Sequence, residues 1–407
     1  MNKRCFDDVM RFAVGKNTPF LAVDLDVVED NYDDLKRNFP QAKIYYAVKA
    51  NPMQEIICLL DRKGSNFDVA TIFEIEKLIS LGISPKRMSF GNTIKKERDI
   101  KKAYDYGIRL FATDSESDIM KISRAAPGSR ILFRILCSGA GADWPLSRKF
   151  GAPLDMIEDL VTLAKDNRLE PYGISFHVGS QQRNISQWDD TLRRCRDVFD
   201  NVKERCGVKL KMINMGGGFP GNYLDPTESI ERYAEAINGY LDDHFGDDMP
   251  EIIFEPGRSM VADSGVIVSE IINIARKSSS HDDPRWMFLD IGKFGGLIET
   301  IDEALKFPIF SARDFSDDKS GKDKEPFIIA GPTCDSYDIL YERYKYEFPS
   351  GISEGDLIAV FTTGAYTRSY SAIEFNGIPP LAAYATRGLL KGRRIVPEIK
   401  VKVRMNA

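Results

Sequence analysis

The chain has 407 residues, more than one ordinary hydrophobic core requires, so its length predicts two domains. The composition, 43% hydrophobic and 29% charged, is that of a soluble globular protein, and a net charge of −5 argues against a nucleic-acid or anionic-membrane partner. No apolar run approaches the roughly 20 residues of a membrane span, and Met1–Lys16 lacks the apolar segment of a signal peptide. We therefore expect a cytoplasmic protein.

Cysteine and histidine are too sparse to predict a metal centre. The six cysteines form no C-x-x-C pair, and the chain has three histidines. We therefore expect no metal site and reduced thiols, as is usual in the cytosol.

Short apolar runs alternate with amphipathic stretches between residues 25 and 262. One such stretch places Val28, Tyr32, Leu35 and Phe39 on a single helical face. Strands that alternate with helices form a parallel sheet, and eight such units fit a (β/α)8 barrel, with an open doubly wound sheet as the alternative. The predicted strands are Ile44–Val48, Phe67–Ala70, Met88–Phe90, Leu110–Ala112, Arg130–Leu136, Tyr172–His177, Met212–Met215 and Ile252–Glu255.

The pattern changes after residue 262 to apolar runs separated by glycine, proline and polar turns, which predicts a second, all-β domain. We expect residues 25–262 to form the barrel, and residues 1–24 and 263–407 to form the β domain. The charged segment Ser311–Glu325 is interpreted as a loop. Strands are predicted at Val266–Ala275, Trp286–Leu289, Phe327–Ile329, Leu357–Phe361 and Glu398–Val403.

Lys49 and His177 stand at predicted strand ends, where barrel enzymes collect their functional groups. A lysine that ends a buried strand is expected to have a lowered pKa, and a neutral amine suits Schiff-base chemistry. A histidine there can stack on a flat ring or relay a proton. Taken singly, a lysine reaching solvent and a satisfied core histidine are the more common readings.

Two further motifs follow the last two predicted barrel strands. Gly216–Gly221 is rich in glycine, which lets backbone N–H groups approach an anion, and barrel phosphate sites are often built after strands seven and eight. Glu255 and Arg258 follow the eighth strand, where the guanidinium suits a phosphate and the carboxylate suits a protonated ring nitrogen. A tight turn and a local Glu–Arg pair are the structural alternatives.

Seven motifs in order carry a family resemblance across nearly the whole chain. The chain resembles the fold-type III decarboxylases that use pyridoxal 5′-phosphate (PLP), the ornithine/lysine and diaminopimelate decarboxylase group. This resemblance implies a PLP-binding barrel followed by a β domain. The motifs are Tyr46–Asn51, His177–Ser180, Gly216–Gly221, Glu255–Arg258, Gly331–Asp335, Gly364–Tyr366 and Phe375–Gly377.

The resemblance also implies residue roles. Lys49 would carry PLP as a Schiff base, His177 would stack on the ring, Glu255 would pair with the ring nitrogen, and Glu74 matches a family position near the cofactor. The cofactor-binding set implied by the family is Lys49, Asp68, Arg134, His177, Ser180, Gly217, Gly218, Glu255, Gly257, Arg258 and Tyr366.

Cys334 and Asp335 would act on the cofactor of the partner in a homodimer with shared active sites. By family resemblance, Cys334 would be a catalytic residue that protonates the substrate Cα, and Asp335 would bind a distal ammonium group. Without the surrounding Gly-Pro-Thr-Cys-Asp run, a buried small thiol would be the preferred interpretation of Cys334.

The Cys-Asp pair resembles the ornithine and lysine branch, which predicts decarboxylation of L-ornithine to putrescine, and of L-lysine to cadaverine, in polyamine biosynthesis. Leu289–Ala304 resembles the bacterial form of ornithine decarboxylase and should supply a second substrate carboxylate. Asp302 is the first choice, with Glu303 and Glu299 open, and Tyr366 is a further substrate contact. Arginine or diaminopimelate decarboxylation, an alanine racemase-like enzyme, and an inactive homologue resembling antizyme inhibitor remain alternatives.

Overall fold

The computed structural model describes residues 2–146, 148–280, 283–316 and 323–391. Its helices are α1 (Lys3–Ala13), α2 (Leu25–Asn38), α3 (Gln54–Arg62), α4 (Ile72–Ser80), α5 (Glu97–Tyr106), α6 (Glu116–Ala125), α7 (Ile157–Asp166), α8 (Ser186–Cys206), α9 (Ile230–Phe245) and α10 (Arg258–Val261). Its strands are β1 (Phe20–Asp24), β2 (Lys43–Ala47), β3 (Asn66–Val69), β4 (Met88–Phe90), β5 (Leu110–Thr113), β6 (Arg130–Arg134), β7 (Ala142–Trp144), β8 (Glu170–Ser175), β9 (Ser180–Gln182), β10 (Met212–Asn214), β11 (Glu251–Phe254), β12 (Gly265–Ala275), β13 (Arg285–Leu289), β14 (Ile309–Ser311), β15 (Lys324–Ala330), β16 (Ile339–Pro349), β17 (Leu357–Phe361) and β18 (Ala382–Thr386).

Eight parallel strands close into a barrel in the order β2-β3-β4-β5-β6-β8-β10-β11, and β11 pairs with β2. The predicted (β/α)8 barrel is therefore confirmed, and the open sheet is excluded. Successive side chains of each strand point to opposite faces of the sheet, as the two-residue period of a strand requires. In β2, Tyr45 packs inside the barrel with Leu132 and Met212, whereas Ile44 and Tyr46 join the larger core beneath the helices.

The barrel helices follow from their apolar spacing and their caps. In α2 the buried positions are Val28, Tyr32 and Leu35, as the spacing predicts. The Asp24 side chain caps this helix by accepting the N–H of Asp26 at 3.1 Å. Such a cap satisfies an N–H group that the helix itself leaves without a partner.

A second sheet of eight strands lies beyond the barrel in sequence, which confirms the predicted β domain. Its main path runs β14-β17-β12-β13-β15-β16, and β1 joins it by pairing with β12 and β18. Helix α1 packs on this sheet through Phe6 and Val9, against Val266 and Phe361. The N-terminal residues are therefore part of the β domain, although the barrel follows them in sequence.

The sequence prediction missed β16, whose residues Ile339–Pro349 interleave tyrosines with charged side chains. Its Tyr341 and Tyr346 are buried while Glu342 and Arg343 are exposed, so the strand is amphipathic. The predicted strand Glu398–Val403 lies outside the described residues, as does the middle of the predicted charged loop, at 317–322. None of the helices in the described ranges combines the length and the apolar character that a membrane crossing requires.

Candidate active site

A cavity of about 400 Å³ opens at the carboxyl ends of the barrel strands. The parallel strands all deliver their last residues to this face, so residues that are far apart in sequence meet there. Eight of the predicted site residues line it: Lys49, Asp68, Arg134, His177, Ser180, Glu255, Arg258 and Tyr366.

Lys49 follows β2 and forms an ion pair with Asp68 at the end of β3. The Lys49 Nζ lies 2.8 Å from Asp68 Oδ2, and the lysine side chain is 46% exposed because it lines the open cavity. Burial lowers the pKa of Lys49, but the carboxylates of Asp68 and Glu255 together outweigh it and hold the pKa above its ordinary value. The expected fall in the Lys49 pKa was therefore wrong for the chain without cofactor, because the sequence does not show that Asp68 faces the amine.

One of the two carboxylate oxygens of Asp68 is unpaired in the described part of the chain. Its Oδ1 is buried and has no hydrogen-bond partner within the described residues. A Cβ on Gly91 would lie 2.2 Å from this oxygen, so the strand end after β4 accommodates no side chain here. The glycine thus makes room for the Asp68 carboxylate beside the lysine amine.

Glu255 directly follows β11 and is held by Asn214, which ends β10. The Asn214 Nδ2 donates to Glu255 Oε1 at 2.6 Å, while Asn214 Oδ1 accepts the Gly216 N–H at 2.9 Å. Burial raises the pKa of Glu255 to about 7, with the Asp68 carboxylate adding to the rise and Lys49 opposing it. A carboxylate poised in this way can pair with a protonated ring nitrogen.

His177 follows β8 and is neutral at physiological pH. Its Nδ1 accepts the Gly179 N–H at 3.0 Å, so the proton of the neutral ring belongs on Nε2. Burial, with the nearby charges of Arg134 and Lys49, lowers the pKa of His177 to about 3. An uncharged imidazole presents a flat face to the cavity, which suits stacking on another ring.

Arg258 is already engaged by a carboxylate. Its Nη1 and Nη2 donate to the two oxygens of Glu299 at 2.7 and 2.6 Å, and both residues are buried. Its Nη1 also donates to Tyr223 at 2.7 Å, and its Nε donates to Ser180 at 3.1 Å. Arg258 thus donates four hydrogen bonds, and a guanidinium has five N–H groups. Glu299 thus occupies the bidentate side of the guanidinium, and the predicted contact of Arg258 with a phosphate stays a prediction.

Glycines lie directly beside the cavity-lining residues His177, Glu255 and Tyr366. A Cβ on Gly217 would lie 2.8 Å from the Glu255 carbonyl oxygen, and Gly218 has a φ of +108°, so both positions require glycine. A Cβ on Gly257 would lie 3.0 Å from Tyr366 Oη. The N–H groups of Gly217, Gly218 and Gly257 form no hydrogen bond within the described part of the chain. They are therefore available to an anion such as a phosphate.

These groups fit PLP in kind. A lysine amine stands beside a buried carboxylate that suits a ring nitrogen, a flat neutral imidazole, and a cluster of unsatisfied backbone donors. Glu74 lies behind this set, where its Oε2 accepts the Ala70 N–H at 2.6 Å, and its pKa is raised by burial.

Cys334 and Asp335 do not line the cavity of their own chain. Both are exposed on the turn between β15 and β16. The Cys334 N–H donates to Asn376 Oδ1 at 3.0 Å, and Asn376 Nδ2 lies 3.1 Å from the Cys334 Sγ. The thiol is thus fixed in position at the protein surface, outside the cavity of its own chain, and its predicted action on the cofactor of a partner chain stays a prediction.

Asp302 and Glu303 also lie away from the cavity, whereas Glu299 lines it. Asp302 is exposed, with its carbonyl oxygen bound by Arg343. The Glu303 carboxylate accepts the N–H groups of residues 342, 343 and 344 at 2.6–2.8 Å. Within one chain, Glu303 binds the backbone of β16 and Glu299 lines the cavity, and the predicted substrate contacts of Asp302 and Glu303 stay predictions.

Replacing Glu303 by alanine is expected to lower the free energy of unfolding by about 2 kcal/mol, since three backbone donors of β16 lose a charged acceptor. Thermal or urea unfolding of Glu303→Ala measures this loss. Asp302→Asn is the matched control, because asparagine tolerates the left-handed φ of +53° at that position. An unchanged stability of Glu303→Ala together with a raised KM would instead assign Glu303 to the substrate.

Comparison with known proteins identifies the family. Residues 25–262 match the model of the pyridoxal-dependent decarboxylases, pyridoxal binding domain. A lysine/ornithine decarboxylase of Selenomonas ruminantium is 36% identical over 362 residues, which cover 88% of this chain and 87% of the relative. This chain belongs to the pyridoxal-dependent decarboxylases. It is a fold-type III enzyme of the ornithine/lysine decarboxylase family, and its cofactor is PLP.

Solved structures of similar proteins agree with this assignment. SrLDC in complex with PLP and cadaverine is 33% identical, with a TM-score of 0.83 over 95% of this chain and 94% of that chain. The arginine decarboxylase of Paramecium bursaria Chlorella virus, bound to agmatine, is 28% identical, with a TM-score of 0.85 over 94% of this chain and 100% of that chain.

Sequence reasoning missed several residues of the decarboxylase site. Asn214 could have been found, because it is a polar residue at the end of a predicted barrel strand. Tyr223 and the cavity-lining Trp144 and Phe150 have no such signal. Tyr223 and Phe150 come from loops and Trp144 from the short strand β7, and the apolar periodicity of the barrel does not determine the course of these segments.

Proposed function

We propose that this decarboxylase acts on basic L-amino acids, converting L-ornithine to putrescine and, as a second substrate, L-lysine to cadaverine, in polyamine biosynthesis. The Cys334–Asp335 turn carries the proposal, because it presents a thiol and a carboxylate side by side at the surface. Asp335 is exposed and forms no ion pair within the described residues. Its Oδ1 accepts the Tyr337 N–H at 2.8 Å. A carboxylate without an ion pair, next to a proton donor, suits a substrate with a distal ammonium group.

The proposed roles follow the geometry of the cavity. Lys49 would hold the cofactor, the neutral His177 would lie on its ring, and Glu255 would keep the ring nitrogen protonated. When bound, PLP supplies an electron sink for the bond between Cα and the carboxylate. Ser180 and Tyr366, with the backbone of Gly217, Gly218 and Gly257, would bind the phosphate, and Arg258 would add charge rather than a bidentate grip.

Cα requires a proton once CO2 has left, and Cys334 would donate it. Because Cys334 and Asp335 do not line their own cavity, we propose that they enter the cavity of a second copy in a homodimer. Exposed apolar side chains support this arrangement. Phe73 follows β3 and Ile94 follows β4 on the cavity side of the barrel, and they are 77% and 62% exposed. Such apolar side chains suit an interface between copies.

The alternatives differ in the charge of the distal group. Diaminopimelate carries a carboxylate there, and two of the cavity's cations are already paired, Lys49 with Asp68 and Arg258 with Glu299. Arginine carries a larger cation that Asp335 could also bind, so arginine decarboxylation is the second candidate function. An inactive homologue resembling antizyme inhibitor is disfavoured, because the lysine, the glycines and Glu255 are all in place.

A decarboxylation assay with added PLP, offering ornithine, lysine, arginine and diaminopimelate in parallel, tests the proposal. We expect kcat/KM to be highest for ornithine, with lysine lower by about 10- to 200-fold, the range for one methylene group. Lys49→Ala is the inactive control. CO2 release from diaminopimelate alone, or from none of the four, would overturn the assignment of a basic substrate.

A further inference from the structure

Asn214 connects the two ends of the cofactor site. It ends β10 and is 1% exposed. Its Oδ1 accepts the N–H of Gly216 at the start of the glycine loop, and its Nδ2 donates to the Glu255 carboxylate. Because a backbone N–H can only donate, the first contact determines which end of the amide is oxygen and directs the NH2 group at Glu255.

We propose that Asn214 is a positioning residue that aims the Glu255 carboxylate at the ring nitrogen of PLP and couples it to the phosphate-binding glycine loop. The inference rests on the proposed role of Glu255. It deepens that role, because it explains how the Glu255 carboxylate keeps one orientation. It also explains how the group that binds the ring nitrogen keeps a constant distance from the loop that binds the phosphate.

The charges around Glu255 show why an uncharged donor is needed here. Asp68 in β3 is a like charge near Glu255, and Lys49 after β2 and Arg134 in β6 are nearby cations. Tyr45 in β2 is a further neighbour, whose pKa the Glu255 carboxylate raises. A second carboxylate would add to the repulsion, and a further cation would bind Glu255 in place of the ring nitrogen. An amide donor orients Glu255 without adding a charge of its own.

The amide also affects the ionisation of Glu255. Burial and Asp68 raise the pKa of Glu255 to about 7, and the hydrogen bond from the amide opposes that rise. Without the amide, a larger fraction of Glu255 would be protonated at neutral pH. A protonated Glu255 forms no ion pair with a ring nitrogen that carries a proton, so the affinity for PLP with a protonated ring should fall.

The test is a PLP titration of the full-length chain, followed by absorbance between pH 6 and 9, for the unaltered protein, Asn214→Ala and Asn214→Asp. We expect Asn214→Ala to bind PLP about 10- to 100-fold more weakly, as for the loss of a hydrogen bond to a charged group. Asn222→Ala is the matched control, because this exposed asparagine pairs with Asp263 at the far end of the same loop.

Asn214→Asp has the same shape and should show a distinctive pH dependence. Near pH 6 the introduced carboxyl group shares a proton with Glu255 and still donates to it, so affinity should stay within about threefold of the unaltered protein. As that proton is lost toward pH 9, two buried carboxylates repel, and affinity should fall by about tenfold or more. A PLP affinity that falls toward pH 9 and recovers near pH 6 in the same protein cannot arise from irreversible misfolding.

PLP affinities for both variants equal to that of Asn222→Ala at every pH would overturn the inference. The measurement does not depend on the substrate. If none of the four amino acids is decarboxylated but the variants lose PLP as expected, the proposed substrate class fails and the role of Asn214 stands.

Discussion

Cys334→Ala should bind PLP as tightly as the unaltered chain and form its amine product about 10²- to 10⁴-fold more slowly, the usual cost of losing a positioned proton donor. The thiol is the proposed donor to Cα, and it lies outside the cavity of its own chain, so its removal leaves the cofactor contacts intact. Absorbance of bound PLP and the rate of amine formation measure the two effects separately.

Cys58→Ala controls for the loss of a thiol as such. Cys58 lies on α3 and is half-buried, away from both the cavity and the turn that carries Cys334. Unchanged amine formation in Cys334→Ala would remove Cys334 from the reaction. Loss of PLP binding in this variant would mean that the turn supports the cofactor rather than donating a proton.

Mixing Lys49→Ala with Cys334→Ala should restore activity that neither variant has alone. If each site takes Lys49 from one chain and Cys334 from the other, a heterodimer contains one intact site and one site with both changes. Random exchange of equal amounts makes half of the dimers mixed, so roughly a quarter of full activity should return for a two-fold symmetric dimer.

The recovery should follow subunit exchange, which mixed dimers of tagged and untagged chains can report. Mixing Lys49→Ala with His177→Ala is the matched control, because both residues line the cavity of a single chain. Each mixed dimer of that control has one cavity without Lys49 and one without His177, so no activity should return. No recovery in the first pair after proven subunit exchange, or equal recovery in the control pair, would contradict a shared site.

The sequence by itself determined the architecture and predicted most of the charged residues that meet at the cavity. Apolar runs at regular spacing specify eight barrel strands, because a strand buried on both faces needs a continuous apolar stretch. The end of each strand is then known, and with it Lys49, Asp68, His177 and Glu255, since all carboxyl ends of a parallel barrel meet on one face.

Only the tertiary structure decided how these charges pair. Glu299 and Glu303 stand four residues apart in one short segment. Glu299 nevertheless binds Arg258 inside the cavity, whereas Glu303 binds backbone N–H groups of β16. The backbone between them is irregular, so no helical or strand period assigns a direction to either side chain. The raised pKa of Lys49 and the link from Asn214 to Glu255 likewise depend on contacts between different strands. Distances and burial across the barrel determine such contacts, and local sequence does not encode them.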